Sequence, residues 1–155
     1  MNESGEKAFE PDDFDRIASS LVRHGVDFMV IGGFAVVFHG YVRATEDLDI
    51  FVRATQENAL KTVAALQACG FSSPDLTPDV FLNDNGISLG EPPMKIDVIS
   101  HLPGVSFEEA WERRQNGLFG TTTVNFIARQ DLIKNKRAVG RPRDLDDVRE
   151  LEDRA

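Results

Sequence analysis

The sequence contains one cysteine, one tryptophan and one tyrosine in 155 residues, and only 17 Lys+Arg against 26 Asp+Glu. The lone thiol, Cys69, excludes an intramolecular disulfide and fits a reducing, cytoplasmic setting. The shortage of basic side chains, with a formal charge of −9, argues against non-specific coating of nucleic acid, because that affinity comes from neutralising phosphates with Lys and Arg. Long hydrophobic runs are also missing. The longest, Phe28 to Phe38, is eleven residues broken by Gly32 and Gly33, about half of the ~20 that a membrane span requires. The first 15 residues carry six acids and one lysine, the reverse of a secretory or mitochondrial leader, and residues 1–10 read as a flexible lead-in. Neither G-x-G-x-x-G nor G-x-x-x-x-G-K-[ST] occurs, so the dinucleotide-binding and P-loop signatures are missing as well.

What is present is a globular composition: 41% hydrophobic residues, including eleven Phe, enough apolar surface to offset chain entropy. The length predicts one domain over residues 1–155. Charge is uneven along it. Residues 126–155 carry 8 basic and 7 acidic side chains, against 9 and 19 before them, and Ile133 to Arg143 holds five basic residues and no acid. A compact anion such as a nucleotide suits that segment.

Hydrophobic spacing predicts a helix through Phe14, Ile17, Ala18, Leu21 and Val22 that stops at Gly25. Phe28 to Ile31 reads as a buried strand ending at Gly32-Gly33, and Phe34 to His39 as a short helix. Asp47 to Val52 alternates, with Leu48, Ile50 and Val52 on one face and Asp47, Asp49 and Phe51 on the other. Thr55 caps a helix that ends at Gly70. Short strands are expected near Val80 to Leu82 and Ile87 to Leu89, then a clear alternating strand from Met94 to Ser100. A helix over Phe107 to Arg114, a strand over Thr121 to Phe126, and helices over Asp131 to Ala138 and Asp144 to Asp153 complete the chain. This order predicts an α/β or α+β fold with a mixed β-sheet flanked by helices.

Three features bear on chemistry. Asp47 and Asp49 project from one strand face, ~6–7 Å apart at the backbone. Such a pair is either a solvated acidic patch or a place for a divalent cation, which relieves the repulsion. Asp97 lies on another alternating strand; if the two strands pair, three carboxylates converge, the number needed to hold two cations bridged by phosphate oxygens. Gly32-Gly33 follows a buried strand and opens a helix, where bare backbone and unpaired N–H groups can approach a phosphate. Arg43 and Thr45 precede the acidic pair and can orient phosphate oxygens, Arg through its planar donor fork. Lys134 and Lys136 are two apart and cannot fully share a helical face, so one of them is expected to reach phosphate, and that one is Lys134. His24 and His101 lack a metal-ligand spacing.

The stretch GGFAVVFHGYVRATEDLDIFV, Gly32 to Val52, with the later Asp97 and the tail DLIKNKRAVGRPRDLDDVREL, resembles the nucleotidyltransferase superfamily related to DNA polymerase β. The likeness is strongest to its small bacterial members of the abortive-infection and toxin–antitoxin type. The resemblance runs from about Asp27 to Leu151. It implies transfer of a nucleoside monophosphate from a nucleoside triphosphate to an acceptor hydroxyl or phosphate on RNA, protein or a small molecule, with release of pyrophosphate. Asp47, Asp49 and Asp97 would be the catalytic metal ligands for two Mg²⁺ or Mn²⁺ ions. Gly32, Gly33, Arg43, Thr45 and Lys134 would bind the nucleotide, and the helical tail over 129–155 would close the site. The Gly-Ser branch of the family uses a serine hydroxyl on the phosphates; here that place is Gly33. A regulatory or toxin–antitoxin binding protein without catalysis is the alternative, and a metal-dependent phosphodiesterase is a further one. With most of the chain assigned to nucleotide binding, a partner protein or a second copy is expected to help recognise the acceptor.

Overall fold

The computed structural model describes residues 11–83, 85–92 and 94–154; the expected lead-in, residues 1–10, lies outside them. The elements are α1 (Pro11–Arg23), β1 (Phe28–Ile31), α2 (Gly32–Phe38), β2 (Asp47–Val52), α3 (Gln56–Ala68), α4 (Pro78–Leu82), β3 (Gly86–Glu91), β4 (Met94–Ile99), α5 (Phe107–Arg113), β5 (Gln115–Phe119), β6 (Thr122–Phe126), α6 (Arg129–Val139) and α7 (Pro142–Asp153). The six strands form one sheet in the order β3-β4-β2-β1-β6-β5. It is mixed, as expected: β1–β6 and β2–β4 run parallel, and the other neighbours run antiparallel.

β1 takes a central place because all four of its side chains are apolar and buried, the composition of a strand covered on both faces. In β2 the alternation seen in the sequence holds for Asp47 to Ile50, and then Phe51 and Val52 are both buried. Phe51 is covered from the far side by Phe107 of α5, the rings meeting edge-on at 5.0 Å. Helix α1 packs against α3 with Phe14, Ile17, Ala18 and Leu21 inward. Thr55 caps α3, its hydroxyl accepting from the Asn58 amide at 3.2 Å. The buried Asn58 side chain accepts from the Asp27 amide and donates to the carbonyls of Asp27 and Arg53, so its polar groups are satisfied where an unpaired amide would be costly.

Two segments differ from the sequence reading. Val80 to Leu82 is helical, not a strand, because Thr77-Pro78-Asp79 starts a helix: Pro78 sits in its first turn, Asp79 follows, and Phe81 points into the core. β5 was not anticipated, because Gln115-Asn116-Gly117 has the composition of a loop. It pairs with β6 as an edge strand, and Gly117 is needed there: a Cβ would lie 2.4 Å from the Phe38 ring, which stacks on Phe126 at 4.0 Å.

Phe81 is fully buried and Leu60 is 52% exposed. Phe81→Ala is therefore expected to lower unfolding stability by ~3–5 kcal/mol, and Leu60→Ala by no more than ~0.5 kcal/mol, as read from urea denaturation.

Candidate functional site

β2 and β4 lie side by side and parallel, with Asp47 opposite Lys95 and Asp49 opposite Asp97. Strand alternation therefore brings these four side chains to one face of the sheet. Their in-between neighbours Leu48, Ile50, Ile96 and Val98 are buried on the other. The juxtaposition that the sequence left conditional, Asp97 beside the Asp47–Asp49 strand, is thus present. The carboxylates form the floor of a cleft of about 740 Å³, walled by the Gly32-Gly33 turn, by Arg43 to Glu46, and by α6 with the start of α7.

The two glycines are required by close contact. Gly32 has φ +65, and a Cβ on it would fall 2.1 Å from Asp49 Oδ2. At Gly33 a Cβ would fall 2.2 Å from Thr45 Oγ1. The bare α-carbons are what let the Asp49 carboxylate and the Thr45 hydroxyl stand directly against the turn. Ile31, the residue before α2, gives the first turn of that helix no side-chain cap.

Burial raises the Asp49 carboxyl from an ordinary 3.8 to about 7, with the Asp97 charge, a hydrogen-bonding contact to Asp97 and the Asp47 charge adding to the shift; Lys136 opposes it. Two carboxyls this close share a proton more readily than they share two charges. Asp97 is held further by the Ser88 hydroxyl, which donates to its Oδ1, and by Lys95 Nζ at 3.6 Å from its Oδ2.

The facing wall is a fixed ionic network. Lys136 is buried, with Nζ 2.9 Å from Asp147 and 3.5 Å from Asp144. Arg43 donates from both Nε and Nη2 to the Asp147 carboxylate at 2.9 Å. Arg141 pairs with Asp144, whose carboxylate also accepts from the Arg141 backbone N–H and so closes a capping box at the start of α7. These cations, foremost Arg141 through its hydrogen bonds, together with Lys136, hold Asp144 below the usual carboxylate range despite its burial.

Of the residues singled out from the sequence, Gly32, Gly33, Arg43, Thr45, Asp47, Asp49 and Asp97 all line the cleft. Lys134 does not: it is exposed on α6, and Lys136 is the α6 lysine that lines the cleft. The reason is helical phase. Asp131, Leu132, Ile133, Asn135 and Lys136 are the buried residues of α6, and Lys136 follows Leu132 by four residues whereas Lys134 falls outside that set. Asp144 and Asp147 escaped the sequence reading, although they share a stripe with the buried Val148 and Leu151. His39 is structural, its Nε2 2.7 Å from the Ile127 carbonyl oxygen.

Among the described residues no group of three or more His, Cys, Asp or Glu is gathered tightly enough to cage a metal by itself. The floor nonetheless suits a hard cation. All its donors are carboxylate oxygens, and Mg²⁺ characteristically takes one or two carboxylates and completes its shell with water and substrate phosphates.

The shift of Asp49 has a stability consequence. Because the folded chain holds the Asp49 proton more tightly than the unfolded chain, the stability it contributes is fully present below pH 3.8 and is lost as pH rises to about 7. In metal-free protein Asp49→Asn is expected to raise the melting temperature at pH 8 by several degrees, on the order of a few kcal/mol. The gain should shrink toward pH 4; an equal gain at both pH values would contradict the assignment.

Comparison with known proteins accords with this arrangement. A family model described as a nucleotidyltransferase of unknown function (DUF6036) matches residues 13–152. Among solved structures the chain is similar to the lincosamide antibiotic adenylyltransferase LnuA, in its lincomycin-bound form, with 16% identity and a TM-score of 0.65; the match covers 96% of this chain and 100% of that one. It is also similar to the antibiotic-resistance factor ANT(2'')-Ia, with 15% identity, a TM-score of 0.60, and coverage of 91% and 81%. At such identities the likeness establishes the fold. No curated protein matches by sequence. Since the family match takes in every strand and all of the cleft wall, the chain belongs to this nucleotidyltransferase family, an enzyme class that moves nucleotidyl groups.

Proposed function

We propose that the protein transfers a nucleoside monophosphate from a nucleoside triphosphate to an acceptor hydroxyl or phosphate, with Asp47, Asp49 and Asp97 as ligands for Mg²⁺ or Mn²⁺. The observation that carries this reading is the parallel register that sets Asp49 opposite Asp97 in a cleft whose other wall is cationic. A divalent ion bound there would supply Lewis-acid activation of the attacking oxygen and neutralise triphosphate charge. The chain's own residues do the rest. Gly32 and Gly33 present backbone to the phosphates at the uncapped start of α2. Thr45 Oγ1, 2.2 Å from where a residue-33 Cβ would lie, supplies a hydroxyl where the Gly-Ser pattern would have its serine. Lys136, Arg43 and Arg141 line the opposite wall and complement the anionic triphosphate, with binding energy strongest where charge builds on the departing pyrophosphate. Asp97 accepts the acceptor's proton as the new oxygen–phosphorus bond forms and the α–β phosphoanhydride bond breaks; pyrophosphate leaves.

The acceptor in this reading is RNA, protein or a small hydroxylic molecule. The test is to incubate each labelled triphosphate with Mg²⁺ or Mn²⁺ and each acceptor class, and to follow pyrophosphate. Wild type is expected to release pyrophosphate and label one acceptor class; Asp49→Ala is expected to lose on the order of 10²-fold or more, and chelation of the metal to do the same. Tight triphosphate binding with no pyrophosphate from any acceptor would replace catalysis by a binding role, and nucleotide release without triphosphate consumption would indicate a phosphodiesterase.

A further inference from the structure

The fourth position of the carboxylate face is a lysine. Lys95 shares that face with Asp97, two residues on, and lies opposite Asp47 across the parallel ladder. Three acids and one ammonium thus occupy a two-by-two square on adjacent strands. The ammonium lies 3.6 Å from Asp97 Oδ2, inside ion-pair range but beyond a good N–H···O hydrogen bond. The Lys95 side chain is 35% exposed, against 8% for Lys136, which is held at 2.9 Å by Asp147. Arg43, Lys136 and Arg141 are each paired with Asp144 or Asp147. Among the described residues Lys95 is paired only with an acid of the carboxylate floor itself, and a cation approaching Asp97 meets that ammonium already there.

We propose that Lys95 is the resident counter-ion of the carboxylate floor, displaced from Asp97 when a divalent cation binds and transferred onto the phosphates of the incoming nucleotide. This rests on the metal-dependent reading proposed above. The sheet makes the exchange short: Lys95 stays on the same face, its flexible four-carbon stem lets the head group turn toward the cleft that it already lines, and the loose contact is readily given up. Lys95 is in this role a counter-ion that the metal displaces and a binding residue for the nucleotide. It competes with the metal and attracts the nucleotide.

Those opposite signs make the test. Mn²⁺ affinity without phosphate is measured by electron paramagnetic resonance of free Mn²⁺, and affinity for inorganic tripolyphosphate at saturating Mn²⁺ by calorimetry, in wild type, Lys95→Met, Lys95→Gln and Asp49→Ala, with melting curves to verify folding. Both lysine variants are expected to bind Mn²⁺ about threefold to tenfold more tightly and tripolyphosphate weaker by a similar factor. Mn²⁺ affinity that is unchanged or reduced in both overturns the proposal, as does tripolyphosphate affinity that does not fall. If Mn²⁺ binding is lost in Asp49→Ala while the lysine variants match wild type, the metal reading stands and Lys95 alone is excluded. Should Asp49→Ala bind Mn²⁺ as wild type does, the metal reading itself fails and the proposal with it.

Discussion

The constraint on which the cleft depends is the mutual repulsion of Asp47, Asp49 and Asp97, forced onto one face of two adjacent strands by the β2–β4 register. In the metal-free chain Lys95 beside Asp97 and the charge of Lys136 relieve that repulsion only in part, and the rise of Asp49 to about 7, caused first by burial and then by the Asp97 and Asp47 charges, records the cost of the arrangement. What imposes it is the other side of the same strands. Leu48, Ile50, Ile96 and Val98 are all buried there, each contributing ~1.5–3 kcal/mol by leaving water. A one-residue slip would turn that apolar set outward along with the acids turning inward. The apolar face therefore fixes the register, and the register holds the charges.

A floor of acids facing a wall of cations would ordinarily collapse into salt bridges across the cleft. Here Asp144 and Asp147 prevent it. Buried on the first two turns of α7, they engage Lys136, Arg43 and Arg141 before those cations can reach the floor. Buried ion pairs pay heavily in desolvation and are weak stabilisers relative to apolar packing, so their value lies in geometry. Arg43 to Asp147 ties the approach to β2 to a helix 104 residues later in the chain. The acids that look redundant in an already acidic protein thus keep the cleft open.

Much of this was legible in sequence, and the gaps follow a physical pattern. Asp47, Asp49 and Asp97 stood out because period-two alternation reveals which residues share a face. That β4 lies beside β2 was not readable, since strand adjacency across the α3–α4 crossover is a long-range fact. The basic run from Lys134 to Arg143 does not by itself show which lysine faces the cleft; the helical phase of α6, with residues 131, 132, 133, 135 and 136 buried, decides for Lys136 over Lys134. β5 and α4 went unread where local composition misled: a polar edge strand resembles a loop, and an apolar trio after Thr-Pro-Asp resembles a strand.

The wall and the floor also differ in how firmly they are built. α6 and α7 place Leu132, Ile133, Val148 and Leu151 in the same core as the sheet, so the cationic wall is not an appendage that can swing away without exposing that core. Changes of charge on ligand entry therefore fall to side chains, and those differ in freedom: Lys136 is buried between two acids, whereas Lys95 is half-buried on a single long contact. On the proposed function, a wall fixed in the core and one loosely paired cation at the floor would let the cleft meet both a divalent cation and a polyanion without moving its backbone.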